Sequence, residues 1–116
     1  MAITQAYGLA AVTVGTAELS ITGGTTSLLS KAEAGVYQLW IDANTMAKGD
    51  EFIVKVYEIV KTTGGTKRLF SAWSLLGVQT EIFVTPTFIL MYGWEMTITK
   101  IAGTDRAFDA SIRKVA

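Results

Sequence analysis

From Val36 to Val115, apolar and polar residues alternate in about six runs separated by Gly, Asp, Asn and Pro. A repeat of two residues is the signature of a strand with one face buried. Over Val36–Asp42, Tyr37, Leu39 and Ile41 fall on one face and Val36, Gln38 and Trp40 on the other. Glu51–Lys61 sets Phe52, Val54, Val56 and Val60 against Ile53, Lys55, Tyr57 and Ile59. Thr62-Thr63-Gly64-Gly65 then predicts a hairpin turn, because Gly-Gly supplies positive φ at little cost. Thr66–Leu76 returns antiparallel with Leu69, Trp73 and Leu75 on one face. Trp94–Ile101 alternates Trp94, Met96 and Ile98 with Glu95, Thr97 and Thr99. Arg106–Val115 places Phe108, Ala110 and Ile112 inward and Asp109, Ser111 and Arg113 outward.

Other stretches depart from this alternation. Pro86 lies between two short strands, Glu81–Val84 and Thr87–Tyr92, and marks an edge or a kink because it cannot donate to a central ladder. Phe88-Ile89-Leu90-Met91 is apolar on both faces, which predicts a strand buried on both sides. Ala43–Asp50 is the one candidate helical turn, capped by Asn44 or Thr45 and ended by Gly49. Residues 1–35 are rich in Ala, Thr, Ser and Gly. Within them, residues 1–16 read as an extended N-terminal arm of weak intrinsic structure. Ala17–Thr22 reads as a short strand, Gly23-Gly24 as a turn, and Ser27–Ala34 as a short strand or a helical turn. The fold class is all-β: a single antiparallel β-sandwich, jelly-roll-like, of about seven to eight strands over residues 17–116, with an Ig-like order as the other candidate.

Composition sharpens this. A chain of 116 residues forms one domain. Half of it is hydrophobic and only 17% is charged, with mean hydropathy +0.38. A small sandwich has little interior, so the surplus points to apolar surface covered by other copies or partners. Ten basic residues balance ten acidic ones, which disfavours nucleic acid as a partner. Ile82–Trp94 is the longest apolar stretch, but Pro86 and Gly93 interrupt it, so no membrane span is expected. The start of the chain carries no basic, apolar leader pattern, so synthesis in a cytoplasm is expected.

Candidate chemistry is sparse. Without His or Cys there is no imidazole or thiolate for a metal, a nucleophile or a relay. Glu51, Glu58, Glu81, Glu95 and Asp109 could form an acid pair only across strands, and they read instead as outward or turn residues. Gly23–Ser27 and Gly64–Lys67 lack the spacing of a phosphate loop. Asp42, Asn44, Asp50 and Glu51 lack the spacing of a Ca²⁺ loop. No cofactor, metal or catalytic residue is expected. Trp40, Trp73 and Trp94, with four Tyr, suit core and interface anchors or a sugar-stacking platform.

Several runs resemble small virion proteins of tailed phages. They are Gly49-Asp50-Glu51-Phe52, Val54-Lys55-Val56-Tyr57-Glu58, Pro86 to Trp94, Ala102-Gly103-Thr104-Asp105-Arg106 and Ser111 to Val115. The family looks like capsid decoration (cement) proteins. The resemblance implies a non-enzymatic protein on the outside of a phage head. It would bind the major capsid protein, cross-link capsomers, and act as a homo-oligomer, dimer or trimer. The expected interface is the apolar run Phe88, Ile89, Leu90, Met91 and Tyr92, together with Trp94. The alternatives are a host-glycan-binding module of a tail or head fibre, and a head–tail connector or tail component.

Overall fold

The computed structural model describes residues 2–26 and 30–116, so positions 27–29 of the predicted 27–34 element lie outside it. Nine strands follow in chain order: β1 (Thr4–Val14), β2 (Leu19–Ser20), β3 (Gly35–Asp42), β4 (Glu51–Glu58), β5 (Arg68–Leu76), β6 (Phe83–Val84), β7 (Phe88–Leu90), β8 (Trp94–Ala102) and β9 (Arg106–Lys114). All pairings are antiparallel. One sheet runs β1-β9-β3 and ends in β6 and β7, which share the outer edge of β3. The other runs β2-β8-β4-β5. With β6 and β7 taken as one interrupted strand, this is the eight-strand, double-Greek-key order of a jelly roll.

The core lies where the alternation puts it. Tyr37, Leu39 and Ile41 of β3 are buried, and so are Phe52, Val54 and Val56 of β4 and Phe108 and Ile112 of β9. Phe52 and Phe108 meet edge to face across the two sheets, ring centroids 4.8 Å apart. Truncating either to Ala costs about 3–5 kcal/mol, the usual penalty for a buried aromatic. At one end, Trp94 packs on Tyr37 at 4.6 Å and on Tyr7 at 6.0 Å. The polar tips of these three rings converge on Glu33. Its backbone carbonyl accepts from Tyr37 Oη at 2.9 Å and Trp94 Nε1 at 3.0 Å, and its carboxylate accepts from Tyr7 Oη. Burial, then the Glu33 carboxylate, raises both phenol pKa values above the ordinary tyrosine value.

Two expectations are corrected here. The 1–16 segment is not a weakly structured arm: Thr4–Val14 forms an edge strand that pairs with β9 from Thr4↔Lys114 to Val14↔Arg106, with two register shifts on the way. Tyr7, Leu9, Val12 and Val14 face inward, and the switch from odd to even positions follows from a bulge between Leu9 and Val12. Ala11, in the bulge, adopts a positive φ of 51° and donates its N–H to Asp109 Oδ1 at 2.7 Å. Nor is Ala43–Asp50 helical. Two successive turns close it, with Met46 N–H on the Ala43 carbonyl and Asp50 N–H on the Ala47 carbonyl, each at 3.1 Å.

Asp50 also ties this loop to the distant turn at Gly103. It accepts from Ala47 N–H at 2.9 Å, Thr104 N–H at 3.1 Å and Arg106 Nε at 2.7 Å. Those three donors, in that order, hold its carboxyl at about 2, below the ordinary aspartate value. Gly103, at φ 92°, is required there because an added Cβ would stand 2.1 Å from Asp50 Oδ1. The tie thus joins two of the runs singled out in the sequence, Gly49–Phe52 and Ala102–Arg106.

Candidate functional site

The β5 side of the sandwich carries most of the surface apolar groups. Eleven large apolar side chains are exposed among the described residues. Four belong to β5 or follow it directly: Leu69, Phe70, Leu76 and Val78. Four more line the β6–β7 edge of the opposite sheet: Ile82, Val84, Ile89 and Met91. Val60, from the β4–β5 connection, shares a groove of about 470 Å³ with Phe70, Phe88 and Ile89.

Local sequence explains this edge. Between Val56 and Tyr57 the β4–β5 register slips by one residue, so Phe70 is extra on β5. Phe70 then reaches across to Phe88 of the other sheet, centroids 5.4 Å apart. Trp73 packs against Phe83 at 5.9 Å and Phe88 at 5.8 Å. These aromatics close the mouth between the sheets while leaving part of their own surface in water. Pro86 interrupts the facing edge, as expected of an edge proline. Thr85 bridges the interruption: its hydroxyl accepts from Leu39 N–H at 3.0 Å and donates to the Pro86 carbonyl at 2.8 Å, and its N–H donates to the Leu39 carbonyl at 3.0 Å.

The predicted interface run is split by the structure. Ile89 is 80% exposed and Met91 50%. Phe88 and Tyr92 are half-buried. Leu90 and Trp94 are fully buried core residues, so neither offers contact area to a partner. The run is therefore not a strand buried on both faces. β7 is an edge strand with Leu90 inward and Ile89 outward. Sequence reasoning missed Leu69, Phe70 and Leu76. The signal was available in Arg68–Leu76, whose only charge is at its first residue.

Trp40 lies on the outer face of the other sheet. Arg113 stacks over its ring at 4.2 Å, and its Nε1 donates to Gln38 Oε1 at 3.0 Å. It borders a shallow hollow of about 280 Å³ that also includes Asp42, Asp109 and Arg113.

Glu95, Glu18 and Glu58 make internal ties. Glu95 is fully buried beneath the β4–β5 connection, paired with Lys67 at 2.9 Å and bonded by Ser20 Oγ at 2.7 Å. Glu18 accepts from Tyr57 Oη at 2.7 Å and from the Thr97 hydroxyl. Burial, then Glu18, pushes the Tyr57 phenol up to about 12. Glu58 accepts from the N–H groups of Met91 at 2.6 Å and Tyr92 at 3.2 Å, which fixes the end of β7 against β4. Among the described residues, no group of three or more metal-ligating side chains converges. Comparison with protein-family models, curated proteins and solved structures finds no match to this chain.

Proposed function

We propose that this chain is a non-enzymatic structural protein of a tailed-phage virion. It decorates the outside of the head and cements neighbouring capsomers by binding the major capsid protein. The observation that carries this reading is the apolar edge formed by β5 and β6–β7 on an otherwise well-tied jelly roll. Contiguous exposed apolar surface on a small protein marks an interaction site. Antiparallel sheets cross-braced by Asp50–Arg106 and Lys67–Glu95 suit a mechanical part. The resemblance of the Gly49–Phe52 and Pro86–Trp94 runs to decoration proteins supplies the class of partner. Many symmetry-related copies would make individually weak contacts collectively strong.

The test is co-sedimentation of the purified protein with empty and expanded phage heads. Saturable binding at a fixed copy number per head is the expected result. Absence of binding to every head form would sink the proposal. A second reading, recognition of a host glycan, is favoured by one feature: the hollow beside Trp40, where an aromatic ring, Arg113 and two carboxylates meet. Quenching of Trp fluorescence by a sugar, abolished in Trp40→Ala, would transfer the assignment to that reading.

A further inference from the structure

We propose that β5 is the pairing edge of a two-fold homodimer. Two copies lay their β5 strands antiparallel, side by side, and join two four-stranded sheets into one of eight strands. The inference goes beyond the capsid reading and stands without it.

The first argument compares the four sheet edges. β1 is bent by two register shifts and by the positive φ of Ala11. β2 has two residues. The β6–β7 edge is interrupted at Pro86. These are the devices by which proteins keep an edge from pairing. β5 carries one such device, the bulge at Phe70 near its start; from Ser71 to Leu76 it pairs regularly with β4 and holds no Pro, Gly or charge.

The second argument is the phase of its backbone. Gly77 N–H donates to the Asp50 carbonyl at 2.9 Å, one step beyond the Glu51–Leu76 pair. In an antiparallel ladder the bonded pairs alternate. Ser71, Trp73 and Leu75 therefore direct their N–H and C=O groups at β4, while those of Ala72, Ser74 and Leu76 point outward from the sheet. A two-fold antiparallel alignment centred on Ser74 brings this same set onto itself, so each outward donor meets an outward acceptor, the Leu76 carbonyl exchanging its Gln79 Nε2 donor, 2.9 Å away, for the Ala72 N–H of the second copy. The side chains at these three positions are uncharged, and two are small, so nothing repels a second copy.

The third argument is the apolar surface. With the two-fold axis at Ser74, joining the β5 strands also sets the seam of Phe70, Phe88, Ile89 and Val60 of each copy beside the exposed Leu76 and Val78 end of the other. Nine of the eleven exposed large apolar side chains among the described residues lie along this side, a concentration of the kind that an interface covers. A second copy is the occupant that satisfies both the ladder and the seam, since the two-fold axis pairs the outward backbone set with itself and each apolar end of the strand with the opposite apolar end of the other copy.

The experiment is sedimentation velocity across a micromolar concentration series, with the full chain and Ala72→Lys. The wild type should sediment as a dimer and the variant as a monomer with an unchanged far-ultraviolet circular dichroism spectrum. A monomeric wild type throughout the series, or a dimer untouched by Ala72→Lys, overturns the proposal. Hydrogen exchange on the wild type decides the matter if the variant does not fold. The amides of Ala72 and Ser74 should be protected in concentrated samples and lose that protection on dilution. Rapid exchange at both amides at every concentration would refute the pairing.

Discussion

The two lateral sides of the sandwich are built differently. On the β1 side the inward residues Tyr7, Leu9, Val12 and Val14 are carried by a strand bent twice by bulges, and its outward residues are small or polar. On the β5 side the strand is longer in regular pairing, its outward residues include Leu69 and Leu76, and an aromatic seam stands partly in water. Both sides must close the gap between the same two sheets. The β1 side closes it with β1 itself, which completes the core and blunts its own edge. The β5 side closes it with Phe70, Trp73, Phe83 and Phe88, which leaves an apolar border suited to another surface. Closure and availability for binding are thus separated across the width of the domain.

The comparison is broken most severely by removing one side. Deleting residues 1–16 takes an 11-residue strand from β9 and uncovers Trp94, Phe108 and Ile112. We expect loss of cooperative thermal unfolding, measured by circular dichroism. A truncated protein that still melts in one sharp transition would show that β1 is an appendage and would restore the arm reading.

A smaller effect is expected at Thr85, on the other side. Thr85→Val keeps the shape but removes the acceptor of the buried Leu39 N–H. A buried donor left unsatisfied costs about 1–3 kcal/mol. Urea denaturation should show that loss with an unchanged slope. Stability equal to wild type would mean that the interruption at Pro86 does not depend on the hydroxyl.

Much of this was legible in the sequence, for an identifiable reason. Where a strand is regular and one face is buried, parity alone assigns the core, as at Tyr37/Leu39/Ile41, Phe52/Val54/Val56 and Phe108/Ala110/Ile112. Parity fails at bulges. The shift between Leu9 and Val12 changes which positions face inward, so β1 read as patternless. The extra Phe70 puts Leu69 outside, against the expectation that it shares a face with Trp73 and Leu75. Parity is also silent on layers above a sheet. Glu95 and Thr97 alternate as outward residues yet are fully buried, because the side chains of Glu18 and Ser20, beside β8 in the same sheet, and of Lys67 in the β4–β5 connection close over them. The candidate site was half legible for the same reason. The run at 88–94 was recognised as apolar, but only the structure separates Leu90 and Trp94, in the core, from Ile89 and Met91, outside.

The Asp50 tie gives a pH dependence confined to acid. Its folded pKa of about 2 lies below the ordinary 3.8, so between these values the unfolded chain binds more protons. The stabilisation it contributes is present above about 4 and is lost as pH falls through about 2. Asp50→Asn should therefore be less stable than wild type at neutral pH, and the difference should shrink on acidification through that window. A difference of equal size at pH 6 and pH 2 would show that the tie acts through shape and not through charge.

The smallest effect on folding is expected at the most informative surface position. Ile89 is 80% exposed and stands outside the core cluster to which Leu90 belongs. Ile89→Ser should change unfolding free energy by less than about 0.5 kcal/mol in dilute solution, as surface substitutions usually do. Its effect should emerge with concentration. If the β5 side associates, the wild-type melting temperature climbs as the protein is concentrated, because association stabilises only the folded state. The Ile89→Ser curve should climb less, while a serine at Ile101, exposed on β8 away from the β5 edge, should leave the wild-type slope intact. Parallel slopes for wild type and Ile89→Ser would exclude the seam from the interface and leave the β5 backbone as its whole basis.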